Sequence, residues 1–221
     1  MKNKNLLEIN GIPLVGISVI QALKSKLFDV VAVSSDSKEI LDAAKKSGAT
    51  LLIERPAELA TDTAGKIPAI QHAAREVESR LKVSFDIFVD LDSTSPLRNV
   101  ADINGAVQLL ENSNCSNVIT GAAARRSPYF NLVEEHDGFV RLSKQTEKPV
   151  LRRQDAPKCF DMNASIYAWK RVALLNATKL FYTDTKIYEM PEERSLDIDS
   201  QLDLEFVRFI SEQHKRFENE W

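Results

Sequence analysis

Asp197 and Asp199, in the run Ser195-Leu196-Asp197-Ile198-Asp199, place two carboxylates two positions apart, just ahead of a helical pattern. In an extended segment such residues share one face, so both sets of oxygens can meet a single hard cation. Mg²⁺ suits that arrangement, because it takes one or two carboxylates and fills its shell with phosphate oxygens and water. The competing role is that Asp199 or Ser200 simply caps the helix that follows. A second cluster, Arg55-Pro56-Ala57-Glu58-Leu59-Ala60-Thr61-Asp62-Thr63-Ala64, follows a strand pattern with a rigid polar turn. Arg55 there can neutralise a polyphosphate or fix a base through its planar donors, or else pair with Glu58. Thr61-Asp62-Thr63 also reads as a plain cap for the next helix. Lys66 falls in that helix's first turn, where a cation is disfavoured unless an anion lies close by. A third cluster, Asp92-Ser93-Thr94-Ser95-Pro96-Leu97-Arg98, sets hydroxyls and an arginine at a strand end, which suits a polyhydroxylated acidic ligand. A turn capping the next helix explains Pro96 and Asn99 equally well. Lys2 and Lys4 are positioned to touch phosphates or to face solvent.

The histidines carry no such signal. His72 lies in a helical pattern, His136 beside the turn Asp137-Gly138, and His214 near the C-terminus, without metal-ligand spacing. There is no GxSxG elbow, no HExxH and no complete Walker loop.

The elements that must position these clusters alternate. A helical pattern covers Ile17–Leu23, a β-branched run Val30–Val33 ends at Ser34-Ser35-Asp36, and a helix runs from about Lys38 to Ser47. A strand at Thr50–Ile53, a helix at Lys66–Leu81 and a strand at Ile87–Leu91 follow. Asn99 with Asp102 marks the start of a helix whose stripe is Ile103, Ala106, Val107 and Leu110. Asn117–Thr120 is a further strand. Between about residues 127 and 170 the pattern loosens into short pieces such as Phe130–Val133 and Ile166–Trp169, as expected of a small β insert or dimerisation arm. A last helix from about Ser200 to Phe217 carries Leu202, Phe206, Phe209 and Ile210 on one face. The expectation is one α/β domain over residues 1–221, a doubly wound, mainly parallel sheet with right-handed crossovers. Ligands of such sheets bind at the C-terminal strand ends, where all the polar clusters fall.

Bulk properties agree. At 43% hydrophobic and 28% charged residues the chain can fill a core and keep a soluble surface. A net charge of -3 with interspersed signs gives no basis for nucleic-acid or membrane attraction. Cys115 and Cys159 lack CxxC spacing and read as reduced thiols. No apolar run reaches a membrane span and the start has no signal-peptide core, so a cytoplasmic protein is expected.

Taken in order, several segments resemble the acylneuraminate cytidylyltransferase (CMP-sialic acid synthetase) family. They are Lys4-Asn5-Leu6 through Asn10-Gly11-Ile12-Pro13-Leu14, Val33-Ser34-Ser35-Asp36, Arg55 to Ala60, Asp62-Thr63-Ala64, Thr94-Ser95-Pro96-Leu97-Arg98, Asn163-Ala164-Ser165-Ile166-Tyr167 and Asp197-Ile198-Asp199. The resemblance implies a Rossmann-like fold and a homodimer whose arm reaches the partner's site. It implies a reaction in which the anomeric hydroxyl of an acidic nine-carbon sugar attacks the α-phosphorus of CTP, with Mg²⁺, releasing pyrophosphate. By position, Asp197 and Asp199 would hold the metal. Lys4 would meet the phosphates, with Lys66 also on the nucleotide side. Asn5, Arg55 and Ala64 would surround the cytidine. Asp92, Thr94, Ser95 and Asn163 would border the sugar with Tyr167 beneath it, and Arg153, Phe181 and Tyr182 align with further sugar contacts, some from the partner subunit.

The chain also departs from that family. Members carry a strand and a Gly-rich basic loop, of the form ARxGSKG, directly before the Lys-Asn that is Lys4-Asn5 here. The expectation is therefore a shortened product of a longer reading frame, more active when extended upstream by about 20 residues. Asp92-Ser93 replaces a usual glutamine-proline, Asp161 replaces a basic residue, and Asn163-Ala164-Ser165 replaces Asn-Gly-Ala. These changes resemble relatives handling legionaminic acid, with N-acetylneuraminate and KDN as other acids of the same class. The competing readings are another sugar nucleotidyltransferase, such as a CMP-KDO type, and an inactive binding relative.

Overall fold

The computed structural model describes residues 3–61, 63–147 and 150–213. Lys2, Asp62, His214 and the expected helix residues 214–217 lie outside the described residues. In chain order the elements are β1 (Glu8–Ile9), β2 (Ile12–Pro13), α1 (Leu14–Ser25), β3 (Ala32–Ser35), α2 (Lys38–Lys46), β4 (Leu51–Glu54), α3 (Lys66–Leu81) and β5 (Ile87–Leu91). They continue with α4 (Val100–Glu111), β6 (Asn117–Ala123), β7 (Val133–His136), β8 (Phe139–Leu142), β9 (Phe160–Lys170), α5 (Arg171–Leu175), β10 (Lys186–Glu189) and α6 (Gln201–Gln213).

A four-stranded sheet has the order β10-β6-β9-β5, and β3 with β4 forms a separate parallel pair. β10 runs parallel to β6, whereas β9 runs against both β6 and β5. Residues alternate along β9 and so serve two layers. Ile166 and Ala168 pack with Ile103, Ala106 and Leu110 of α4, while Tyr167 and Trp169 pack with Ala74 of α3 and Leu174 of α5. The α/β expectation holds as helix, sheet, helix. α1 ties the pieces together: Leu14 and Ile17 pack against α6, and Val15, Val19 and Ala22 pack towards Val31 and Ala44. No helix among the described residues is long and apolar enough to cross a membrane.

Three sequence expectations shift. Phe130–Leu132 is a turn held by N–H groups donating to Ser127 O, and the strand begins only at Val133. Val30 and Val31 precede β3, whose ladder starts at Ala32. On α6 the buried stripe is Leu204, Val207 and Ile210, leaving Leu202, Phe206 and Phe209 exposed. Both stripes have helical spacing. The choice between them is set by how α6 is seated, with Ser200 and Asp203 capping its start and Arg208 donating to Glu8 O.

The β6–β9 ladder is irregular where Ile119 pairs Tyr167 but Gly121 pairs Met162. The extra residues on β9 include Ala164, held at φ 52°. This is the left-handed conformation that a Cβ disfavours by about 1–2 kcal/mol. The Gly-to-Ala departure in the Asn-Ala-Ser run therefore sits at the one residue of that bulge whose backbone asks for glycine, and it carries the strain.

Candidate active site

β5 ends in Asp90-Leu91 and runs directly into Asp92, so strand alternation puts the Asp90 and Asp92 carboxylates on one side. Lys66, the first residue of α3, answers both: its Nζ lies 2.9 Å from Asp90 Oδ2 and 2.9 Å from Asp92 Oδ2. The same ammonium stands 4.2 Å from the centre of the Tyr167 ring. The Lys66 side chain is 39% exposed, and its ammonium is flanked by both carboxylates and the Tyr167 ring. Burial alone would lower the Lys66 pKa, but the two carboxylates more than reverse this and hold it firmly cationic. For Asp92, burial pushes upward, and the Lys66 charge with hydrogen bonds from Lys66 and Thr94 brings the carboxyl down to about 2. The anion that Lys66 needs at a helix N-terminus is thus supplied by the protein itself.

After Asp92 the chain turns back sharply. Thr94 N–H and Oγ1 both donate to Asp92 Oδ1, at 3.1 and 2.9 Å. Arg98, fully buried, fixes this turn from below by donating to Asp92 O at 2.6 Å, Ser95 O at 2.9 Å and the Ser18 hydroxyl. Gln21 Nε2 adds bonds to Pro96 O and Arg98 O. This corrects the reading of Arg98 as a ligand group: the side chain is fully buried and both of its Nη groups donate to protein oxygens.

From Leu196 to Asp199 the chain lies over that turn, outside any helix or strand, with Leu196 and Ile198 turned into the core. Ile198 is fully buried against α1 and α6, and its N–H donates to Thr94 O at 2.9 Å. Asp197 and Asp199 flank it on the other side. Ser95, also fully buried, donates from its hydroxyl to Asn163 O at 3.2 Å and to the Asp197 carboxylate, so it positions that group. Asn163 is buried too: its Oδ1 accepts from Thr120 Oγ1 and its Nδ2 donates to Ser195 Oγ at 2.9 Å. Lys4, in the 3-10 turn Lys4–Leu6, reaches Asp199 Oδ1 at 2.9 Å. Asn5 beside it accepts from Ser93 Oγ at 2.8 Å. The cap of α6 falls to Ser200 and Asp203, which leaves the Asp199 carboxylate, 81% exposed, outside the helix.

Asp197 reports on the whole cluster. Burial, then the negative charges of Asp92 and Asp199, push its carboxyl up to about 7, against the opposing pull of Lys66 and Lys4. A half-buried carboxylate among like charges is the situation a divalent cation relieves. Among the described residues no group of three or more His, Cys, Asp and Glu side chains is arranged to hold a metal. A cation here would take two carboxylates and leave the rest of its shell to phosphate oxygens and water, as Mg²⁺ does.

The other sequence-derived residues find their partners outside this cluster. Arg55, at the end of β4, donates to Ser34 O at 2.7 Å and to Ser34 Oγ at the end of β3, and so bridges two strand ends instead of pairing with Glu58. Ala64 is half-buried, with its N–H bonded to Thr61 O. Gly65, with no side-chain bond, stands where Thr61 or Thr63 was expected to cap α3. Arg153 is exposed and donates to Ala124 O. Phe181 and Tyr182 line a separate groove of about 570 Å³ with Leu132, Phe160 and Met162. Sequence reasoning missed Asp90, whose signal was its period-two spacing from Asp92, and it missed the polar supports Ser18 and Gln21.

The cytidylyltransferase family profile matches residues 1–220. The chain is 43% identical over 210 residues to the CMP-N,N'-diacetyllegionaminic acid synthase of Campylobacter jejuni subsp. jejuni serotype O:2, covering 95% of this chain and 88% of that protein. It is equally similar, at 43% over the same shares, to the post-translational flagellin modification protein B of Campylobacter coli. A solved CMP:2-keto-3-deoxy-manno-octonic acid synthetase complexed with CTP shares the fold, with a TM-score of 0.66 at 19% identity over 96% of this chain and 93% of that one.

Proposed function

Because the chain belongs to the cytidylyltransferase family, we infer that this nucleotidyltransferase joins CTP to an acidic nine-carbon sugar of the legionaminic type, giving the CMP-sugar and pyrophosphate. The observation that carries this reading is the convergence of Lys4, Lys66, Asp92, Asp197 and Asp199, distant in sequence, into one electrostatic cluster. The relative named for N,N'-diacetyllegionaminic acid, at 43% identity, favours that acid over others of its class.

The physics of the reaction suits these groups. A triphosphate and a carboxylate sugar repel each other, and the repulsion must be screened before the hydroxyl and the α-phosphorus can approach. Asp197 and Asp199 would hold Mg²⁺, which supplies that screening and stabilises charge on the phosphate oxygens. Lys4 is released from Asp199 to a phosphate, where an ammonium is a strong point charge. Asp92 and Lys66 offer an acceptor and a donor side by side for the sugar, over the Tyr167 ring. The run Leu196–Asp199 turns Leu196 and Ile198 into the core and leaves both carboxylates free of it, so little reorganisation is needed on binding.

Incubating the chain with CTP, Mg²⁺ and a panel of acids tests the reading through pyrophosphate release. N,N'-diacetyllegionaminic acid should be turned over fastest, ahead of N-acetylneuraminate and KDN. Equal or faster turnover of KDO would transfer the enzyme to the CMP-KDO type.

The reading includes a homodimer in the cytoplasm, where CTP is made and the free thiols of Cys115 and Cys159 stay reduced. The ribbon β7–β8 turns through Asp137 and Gly138, at φ 53° and 80°, and exposes Phe139 at 71% and Val140 at 68%. A two-stranded ribbon with apolar side chains in water is marginal alone, and a second copy of the chain is the partner that buries it. Phe139→Glu with Val140→Lys should convert a dimer to a monomer in sedimentation equilibrium. A wild-type chain that sediments as a monomer contradicts the arm's role.

A further inference from the structure

The segment that carries Asp197 and Asp199 is fastened at its upstream end by a side chain that touches no candidate substrate group. Arg194 closes the 3-10 turn Glu192–Arg194, immediately before Ser195. Its Nε donates to Asp102 Oδ2 at 2.8 Å and its Nη2 to Asp102 Oδ1 at 2.9 Å, a two-pronged bond. The Asp102 side chain is 1% exposed and that of Arg194 21%. Asp102 is already committed on its other side. Its Oδ2 accepts from Asn99 N–H and its own N–H donates to Asn99 Oδ1, both at 2.9 Å, which forms the capping box of α4. Asn99 directly follows Arg98, the buried support of the Asp92 turn. One residue pair therefore joins the base of the Asp92–Arg98 turn to the root of the Asp197–Asp199 segment.

A buried ion pair contributes little net stability, because desolvation offsets the attraction, but a planar fork on a carboxylate fixes direction as well as distance. We propose that Arg194 is a positioning residue that acts through Asp102 to set the place of Asp197 and Asp199, and through them the affinity for a divalent cation. This rests on the metal role proposed above for those two aspartates. Ser195, held by Asn163 and by its own bond to Pro191 O, and Ile198, held by Thr94, complete the fastening; Arg194 supplies its one charged, two-pronged contact.

Arg194→Lys keeps the cation and removes the fork. Mn²⁺ is titrated into the full chain, and free ion is read by electron paramagnetic resonance, alongside Asp197→Asn and Arg171→Lys. The last breaks a like fork, Arg171 on Glu78 at 2.7 and 2.8 Å, at the far end of α3. Loss of a group that orients a metal ligand typically weakens the metal about 10–100-fold, and Arg194→Lys should fall in that range. Arg171→Lys should stay within about twofold of the parent, which separates positioning from general loosening. Asp102→Asn retains an acceptor for Asn99 N–H and should weaken Mn²⁺ in the same direction, guarding against a poorly folded Arg194→Lys. Parental Mn²⁺ affinity in folded Arg194→Lys or Asp102→Asn, with loss in Asp197→Asn, overturns the positioning role and leaves the metal role standing. Parental affinity in Asp197→Asn removes the metal role and the positioning role with it.

Discussion

Asp197→Asn is expected to lower turnover by roughly 10²–10³-fold, the usual loss when one preorganised electrostatic group is removed from a reacting site. The same substitution should make the ligand-free protein more stable at pH 8. The reason is the carboxyl's raised pKa, about 7, caused by burial and by Asp92 and Asp199. An unfolded aspartate titrates near its ordinary value of 3.8. Between those values the folded state binds the extra proton, so stability falls as pH rises from about 4 to 7 and stays low above. Asparagine mimics the protonated form, and its oxygen still accepts from Ser95. Discounted for the group's partial exposure, the relief is on the order of 1–2 kcal/mol. Melting curves from below about pH 4 up to pH 8 check this: wild type and variant should converge at the acid end and separate towards pH 8. A variant that is less stable than wild type at pH 8 contradicts the assignment of charge.

Lys66→Met carries the second large effect. It leaves Asp90 and Asp92 as two negative groups, three-quarters buried, without a counter-ion. Breaking such a pair costs about 2–3 kcal/mol once the partial exposure of the Lys66 side chain is allowed for. Here the sign runs the other way from Asp197. The depressed Asp92 pKa contributes stability that is present above pH 4 and is lost as pH falls towards about 2. The deficit of Lys66→Met should therefore be largest near neutrality and shrink in acid, as read from urea unfolding at pH 7 and pH 3. Turnover should fall by about 10²-fold or more, through the lost donor and the displaced Asp92. Arg is not an equivalent replacement, because its planar fork does not fit between two carboxylates and the Tyr167 ring as a compact ammonium does. A deficit that is the same at pH 3 and pH 7 would show that Lys66 is not the counter-ion of Asp92 in the folded protein.

Much of this site was legible in the sequence, for identifiable reasons. Asp197 and Asp199 announce themselves by period-two spacing, and the apolar Ile198 between them turns inward as that spacing requires. Lys66 at a helix start called for an anion, and Asp90 and Asp92 supply it. The helices α3 and α4 begin where their sequence patterns say, α4 with the Asn99–Asp102 box in full. What escaped was settled by tertiary packing. Arg98 reads as a ligand group from its neighbours, yet it is fully buried and both of its Nη groups donate to protein oxygens. Ser95 and Asn163 lie in motifs that point to a sugar, and both are enclosed as supports of the Asp197 segment. The buried face of α6 was ambiguous, because two stripes share one period and only the seating of the helix on α1 chooses between them. Phe181 and Tyr182 line a separate groove, and a single chain's periodicity holds no information about a partner.

The account rests on a divalent cation held by Asp197 and Asp199 where the triphosphate binds. Crystals grown with CTP and Mn²⁺ and measured at the manganese absorption edge test this directly. The prediction is an anomalous peak in contact with oxygens of both aspartates and of the nucleotide phosphates, with Lys4 turned from Asp199 to a phosphate. A bound nucleotide with its manganese away from both aspartates would contradict the account.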